Sequence, residues 1–118
     1  MADYRVDALV PNNGTATLAA QGLQADADIP CLRDSENLII YATNSDAQTA
    51  TLTFVAGDGL NSGQGNLAVT VAQNEVKFIS GLESQRFTGA DGKVQLLGTI
   101  AGGGTLTNCK LQIVQRRK

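Results

Sequence analysis

Histidine is missing from the 118 residues, and the omission narrows the chemistry open to the chain. The commonest general base near neutral pH is gone, and with it the Ser-His and Cys-His pairs and the commonest zinc ligand. Carboxylates, thiols and clustered oxygen donors remain. Glu83 and Asp91 flank a short polar stretch, and two carboxyls can in principle serve as acid and base in a hydrolase. Both sit beside turn residues, where an exposed carboxylate is ordinary surface. Asp58, Asn61, Ser62 and Asn66 in "GDGLNSGQGN" offer oxygen donors to a calcium ion. The stretch lacks the alternating acid series and the closing bidentate Glu of an EF-hand loop. Its glycines at 57, 59, 63 and 65 imitate a phosphate-cradling loop without the Lys or the helix opening. No catalytic residue, metal ligand or cofactor is assigned, and the chain is expected not to be an enzyme.

The two thiols, Cys31 and Cys109, carry no partner pattern either. "MADYRVDALV" at the N-terminus contains acids and no apolar core, unlike a secretory signal. No run approaches the roughly 18 apolar residues of a membrane span. Synthesis in a reducing cytoplasm follows as the expectation, with both cysteines free and a bridge as the alternative. Cys109 alternates with Leu111 and Ile113 as a core residue would; Cys31 follows Pro30 in a loop-like region.

Charge argues against nucleic acid. The sequence pI is about 4.8, and the aromatics are Tyr4, Tyr41, Phe54, Phe78 and Phe87 alone. No basic stripe interleaved with aromatics can be drawn from them. The net charge of −2 is unevenly spread. Residues 1–60 hold eight acids against Arg5 and Arg33, and residues 61–118 hold three acids against seven bases, ending in "RRK". A two-signed molecule can self-associate or sit on an oppositely charged protein face. The asymmetry vanishes if the two halves interleave in space.

Periodicity supplies the elements. Leu52 and Phe54 alternate with Thr51 and Thr53; Leu67, Val69 and Val71 alternate with Ala68 and Thr70. Val76 and Phe78 flank Lys77, Val94 and Leu96 flank Gln95, and Leu111 and Ile113 flank Gln112. Each is the two-residue period of a half-buried strand. "NLIIYAT" is more continuously apolar, as a central strand would be. "ATLAAQGLQADAD" is the best helix candidate, but Gly22 breaks it, and strand plus loop is an equal reading. Between the runs lie turn clusters such as "PNNG", "TNSDA", "GADG" and "AGGG". The pattern predicts one all-β domain over 1–118, an antiparallel sandwich of about eight strands, Ig-like or jelly-roll. Residues 1–6 and 115–118 are expected to be tails. The expected core is Leu38, Ile40, Leu52, Phe54, Val69, Val71, Val76, Phe78, Val94, Leu96, Leu111 and Ile113.

The stretch "VKFISGLESQRFTGADGKVQL" places a Phe beside an Arg between two strands. Leu82 and Phe87 can tuck under the sandwich edge, while Glu83 and Arg86 pair or reach a neighbouring backbone. The stretch then serves as a corner orienting two strands. Alternatively Arg86 and Phe87 anchor a contact patch, since Arg and aromatics are enriched at interface centres. Glu83, Arg86 and Phe87 are the interface candidates, with Asp58 and Asn61 of the 57–66 loop, the expected contact loop.

The order of motifs carries a resemblance. "NLIIYATNSDAQTATLTFVAGDG", then "GQGNL", a Val-rich strand, Leu82-Glu83, Arg86-Phe87 and Asp91-Gly92 together resemble a family of small phage and prophage proteins encoded near capsid genes. The likeness covers roughly residues 37–97. It implies a non-enzymatic virion protein, a capsid decoration protein that binds the assembled head shell. A tail or head–tail connector component is the nearest alternative, and a cellular β-sandwich binding module the next. The implied partner is a major capsid protein or another virion protein, with no nucleic acid and no membrane. A homo-oligomer follows from shell symmetry, a trimer by preference. The implied place is the virion capsid surface, after synthesis in the bacterial host cytoplasm.

Overall fold

Alternating side chains bury one face of a strand and wet the other, so two such sheets must pack face to face. The computed structural model describes residues 3–9, 19–57, 59–60, 62–89 and 91–116. Within them nine strands form: β1 (Asp7–Leu9), β2 (Gln21–Gly22), β3 (Asp26–Pro30), β4 (Leu38–Asn44), β5 (Ala50–Phe54), β6 (Leu67–Val71), β7 (Val76–Ser80), β8 (Lys93–Ile100) and β9 (Cys109–Arg116). One short helix, α1 (Ser84–Phe87), joins β7 to β8. No helix among the described residues is long and apolar enough to cross a membrane.

The pairing resolves the open topology. β5 pairs with β6, β4 with β7, β3 with β8 and β2 with β9, all antiparallel. That nesting is one long four-layered hairpin with its bend between β5 and β6. Lateral pairing of β4 with β9 and β5 with β8 rolls it up. The result is two packed sheets, in the orders β1-β9-β4-β7, with β2 also on β9, and β3-β8-β5-β6. This is a jelly roll. In an immunoglobulin fold the last two strands are neighbours in one sheet; here β8 and β9 lie in different sheets. One pair departs from the expected antiparallel order. β1 runs parallel to β9 over Val114–Arg116, end to end with β2, which occupies the same edge at Lys110 and Leu111.

Nine of the twelve expected core residues are fully buried: Leu38, Ile40, Leu52, Phe54, Val71, Val94, Leu96, Leu111 and Ile113. Val69 is partly buried against them. Val76 and Phe78 are corrections, 50% and 71% exposed. The β7 run carries apolar residues in both phases, and pairing with β4 settles which phase goes inside. Tyr41 lies opposite Phe78 and Ile40 opposite Ile79, so Ile79 enters the core and Phe78 points outward. The inward phase also holds Lys77, tolerable only because β7 is an edge strand, where the ammonium leaves sideways to Glu75 at 3.7 Å. Of the two equal readings of "ATLAAQGLQADAD", strand plus loop is the one found in its described part, where β2 lies and β3 begins; residues 16–18 lie outside the described residues. Both cysteines are buried and free. Arg116, within the expected tail, is in β9, as is the buried Gln115; residues 117 and 118 are outside the described residues.

Polar side chains lock one end of the roll. Asn44 donates from Nδ2 to the carbonyls of Gln48 and Val71, both at 2.9 Å, and its Oδ1 accepts from the Asp46 N–H at 2.9 Å. Asp46 in turn accepts from Gln48 N at 2.8 Å, Thr105 N at 2.9 Å and Asn108 Nδ2 at 3.0 Å. These donors hold its carboxyl below the usual carboxylate range, the Thr105 N–H most of all. "TNSDA" is thereby a clamp joining the β4–β5 and β8–β9 connections.

Candidate functional site

The corner after β7 begins with Gly81 in the left-handed region, φ 70°, which turns the chain inward and buries Leu82. Ser35 Oγ donates to the Leu82 carbonyl at 2.7 Å, and Ser84 Oγ donates to Glu36 at 2.9 Å. Glu83 sits at the start of α1, its carbonyl accepting from the N–H groups of Arg86 and Phe87, both at 3.0 Å. Thr88 Oγ1 closes the turn by donating to the Ser84 carbonyl at 2.6 Å. The helix thus delivers Phe87 into the core, where it is 3% exposed and meets Phe54 edge-on at 6.5 Å.

Arg86 is half-buried and turned inward to the chain. Its Nε donates to Gly65 O at 3.0 Å and its Nη2 to Asn66 O at 3.3 Å, while the guanidinium lies 4.7 Å from the Phe87 ring centroid. Asn66 Oδ1 accepts from Ala56 N at 2.7 Å, and Gly57 N donates to Arg86 O at 2.7 Å. A Cβ on Gly57 would overlap the Thr88 carbonyl, so glycine alone fits this crossing. "GQGN" and "LESQRF", some twenty residues apart, are therefore one unit. Of the interface candidates, Phe87 is core, Arg86 braces the 62–66 turn and Glu83 stands at the start of α1, engaged there through its backbone carbonyl. Asp58 and Asn61 lie outside the described residues.

Beside this corner a depression of about 230 Å³ is lined by Asp28, Gly57, Phe87, Asp91 and Lys93 among others. It falls below the roughly 300 Å³ at which small-molecule pockets begin. Burial, and then the like charges of Asp91 and Asp3, raise the Asp28 carboxyl, while Asp3 pairs with Lys93 at 3.0 Å. Glu83 is not among the lining residues, so the carboxylates singled out for acid–base work do not share this site. Among the described residues no group of three or more His, Cys, Asp or Glu is arranged to hold a metal. Burial pushes both thiols up, away from reactive thiolates.

The two outer faces differ sharply. On the β3-β8-β5-β6 sheet the outward side chains include Asp26, Asp28, Gln95, Thr51, Thr53, Thr70 and Thr99, a surface that water covers well. On the β1-β9-β4-β7 sheet the outward rows are Val76, Phe78 and Ser80 of β7, Ile39, Tyr41 and Thr43 of β4, and Gln112 and Val114 of β9. None is charged. Phe78 meets Tyr41 edge-on at 4.9 Å, and a depression of about 490 Å³ runs from Phe78 past Ile39 and Ser80 to Arg116. Charge-poor centres rich in aromatics mark protein-binding surfaces. The sequence pattern hid this face, because Val76 and Phe78 read equally well as core. Compared with known protein families, curated proteins and solved structures, the chain matches none.

Proposed function

We propose that the protein is a non-enzymatic structural component of a phage virion, a decoration protein that stabilises the assembled head shell by protein–protein contact. The observation that carries this reading is the aromatic outer face of the β1-β9-β4-β7 sheet, charge-free along its β4 and β7 rows and set against a hydrated opposite face. Exposing Phe78 costs solubility and does nothing for the fold, so a partner surface accounts for it. Two further observations support the reading. The motif order over residues 37–97 resembles small phage proteins encoded beside capsid genes, and the jelly roll is a winding that viral shell subunits use. Lectins use it too, so the winding does not choose between them.

The mechanism is linkage. A protein that binds only the assembled lattice shifts assembly by RT ln(1 + [L]/Kd), about 2.7 kcal/mol at a hundredfold excess over Kd. Stiffness strengthens that binding, because a corner braced by Arg86 and a clamp built on Asn44 and Asp46 lose little entropy on docking. The major capsid protein is the first partner expected and a tail or connector protein the second, with synthesis in the host cytoplasm preceding assembly.

Mass spectrometry of purified particles from a phage encoding the chain tests the reading. Copy numbers stoichiometric with the capsid protein are expected; absence from particles overturns it. A carbohydrate-binding module is the second reading, favoured by the exposed Phe78 beside Tyr41. A glycan array with hits lost in Phe78→Ala would put it first.

A further inference from the structure

Resting on the protein-docking reading of the aromatic sheet face, we infer that in the free protein, before it meets a shell, the occupant of this face is a second copy of the chain, stacked face to face about a two-fold axis parallel to the strands. Edge-to-edge extension at β7 is blocked, because Lys77 points inward on this edge strand and pairs with Glu75. The face itself is left for association.

Its rim is self-complementary. The bases Lys110 and Arg116 stand at the two ends of β9, both pointing outward. On the opposite flank stand Glu75, just before β7, beside Val76 and Thr43 and 3.7 Å from Lys77, and Glu36, just before β4, bonded to Ser84, while Asp7 of β1 on the β9 flank is paired with Arg5 at 2.9 Å. A two-fold running along β4 sets the β9 flank of one copy over the β7 flank of the other. Lys110 then meets Glu75 of the second copy at one end, and Arg116 meets Glu36 at the other. An axis across the strands would instead set Arg116 over Lys110, like over like. Charge therefore selects one stacking.

Size sets the strength. β1 and β2 (3 and 2 residues) share one edge beside β9 (8), β4 (7) and β7 (5). At about 3.3 Å by 4.8 Å per residue the face is roughly 400 Å² per copy, about 800 Å² in all, the size of a weak, transient interface. The expected association is micromolar and concentration-dependent. A closed two-fold pair uses the same patch on both copies, so this face favours a dimer over the trimer expected from shell symmetry.

Sedimentation velocity across about 1–100 µM, where interfaces of this size associate, is the test. Wild type should shift from monomer to dimer, and Phe78→Asp should remain monomeric while still folded, with a thermal midpoint at about 1 µM within about 8 °C of wild type. Lys110→Glu and Glu75→Lys should each weaken the dimer at least tenfold, and mixing the two variants should restore it, since each heterologous rim pair is again opposite in sign. A monomeric wild type at 100 µM, a trimer, or a dimer indifferent to Phe78→Asp overturns the inference. If wild type is monomeric yet Phe78→Asp is lost from particles, the second copy is refuted while the docking role of the face stands. If wild type dimerises but never enters particles, the virion reading fails and the dimer stands.

Discussion

Phe87 and Phe78 offer a matched pair of perturbations, the same truncation at two sites that the strand register treats in opposite ways. Phe87 is 3% exposed, edge-on to Phe54 at 6.5 Å and covered by the Arg86 guanidinium at 4.7 Å. Core Phe→Ala changes cost about 3–5 kcal/mol, from lost transfer energy and the cavity left behind. The Phe54 pairing accounts for about 0.5–1.5 kcal/mol of that, and the Arg86 contact for about 0.5–1 kcal/mol. About 4 kcal/mol is therefore expected from Phe87→Ala, a large share of the 5–15 kcal/mol typical of a domain. Phe78→Ala removes a ring that is 71% in water and whose described aromatic contact is with Tyr41 at 4.9 Å. Its cost should stay under about 1 kcal/mol. Urea unfolding followed by far-UV circular dichroism separates them. At about 1 µM, association contributes little. With m near 1.5 kcal/mol/M, the midpoint should fall by about 2.5 M for Phe87→Ala and by less than about 0.7 M for Phe78→Ala. Equal losses, or a greater loss at Phe78, would refute the register and with it the docking face.

The same geometry sets three further outcomes. Arg86→Ala removes the donors to Gly65 and Asn66; it should cost about 1–3 kcal/mol and speed amide exchange within 62–66, with Arg86→Lys failing to restore protection because it lacks the planar fork. Asp46 has its carboxyl lowered by backbone and side-chain donors. Its contribution is fully present above the unfolded value near 3.9 and is lost as pH falls through the lower folded value, so thermal midpoints should drop below about pH 4 in wild type and less steeply in Asp46→Asn. Leu32 and Arg33 hold φ of 52° and 62° in a turn closed by Asp34 N to Cys31 O at 2.9 Å, a geometry that normally takes Asn-Gly. Leu32→Asn with Arg33→Gly should raise stability by about 1–2 kcal/mol, read as a higher thermal midpoint; a lower one would show that the native side chains hold the turn.

Much of the candidate site is legible as composition and little of it as location. Leu82, Arg86 and Phe87 announce a corner through their order, and the corner exists. Only the partner carbonyls at Gly65 and Asn66 make Arg86 a brace; backbone acceptors leave no mark on a sequence. Phe78 reads as core because Val76-Lys77-Phe78-Ile79 satisfies either phase, and the mismatch of Lys77 is the one local clue.

The sequence by itself determined the all-β class, the strand positions and most of the core, because side-chain alternation and turn residues act over a few positions. Tertiary structure alone decided the jelly-roll winding, the parallel β1, the outward turn of Phe78 and the contrast between the two faces. Those depend on which strand lies beside which, a matter of long-range pairing in which a shift of one residue exchanges inside for outside.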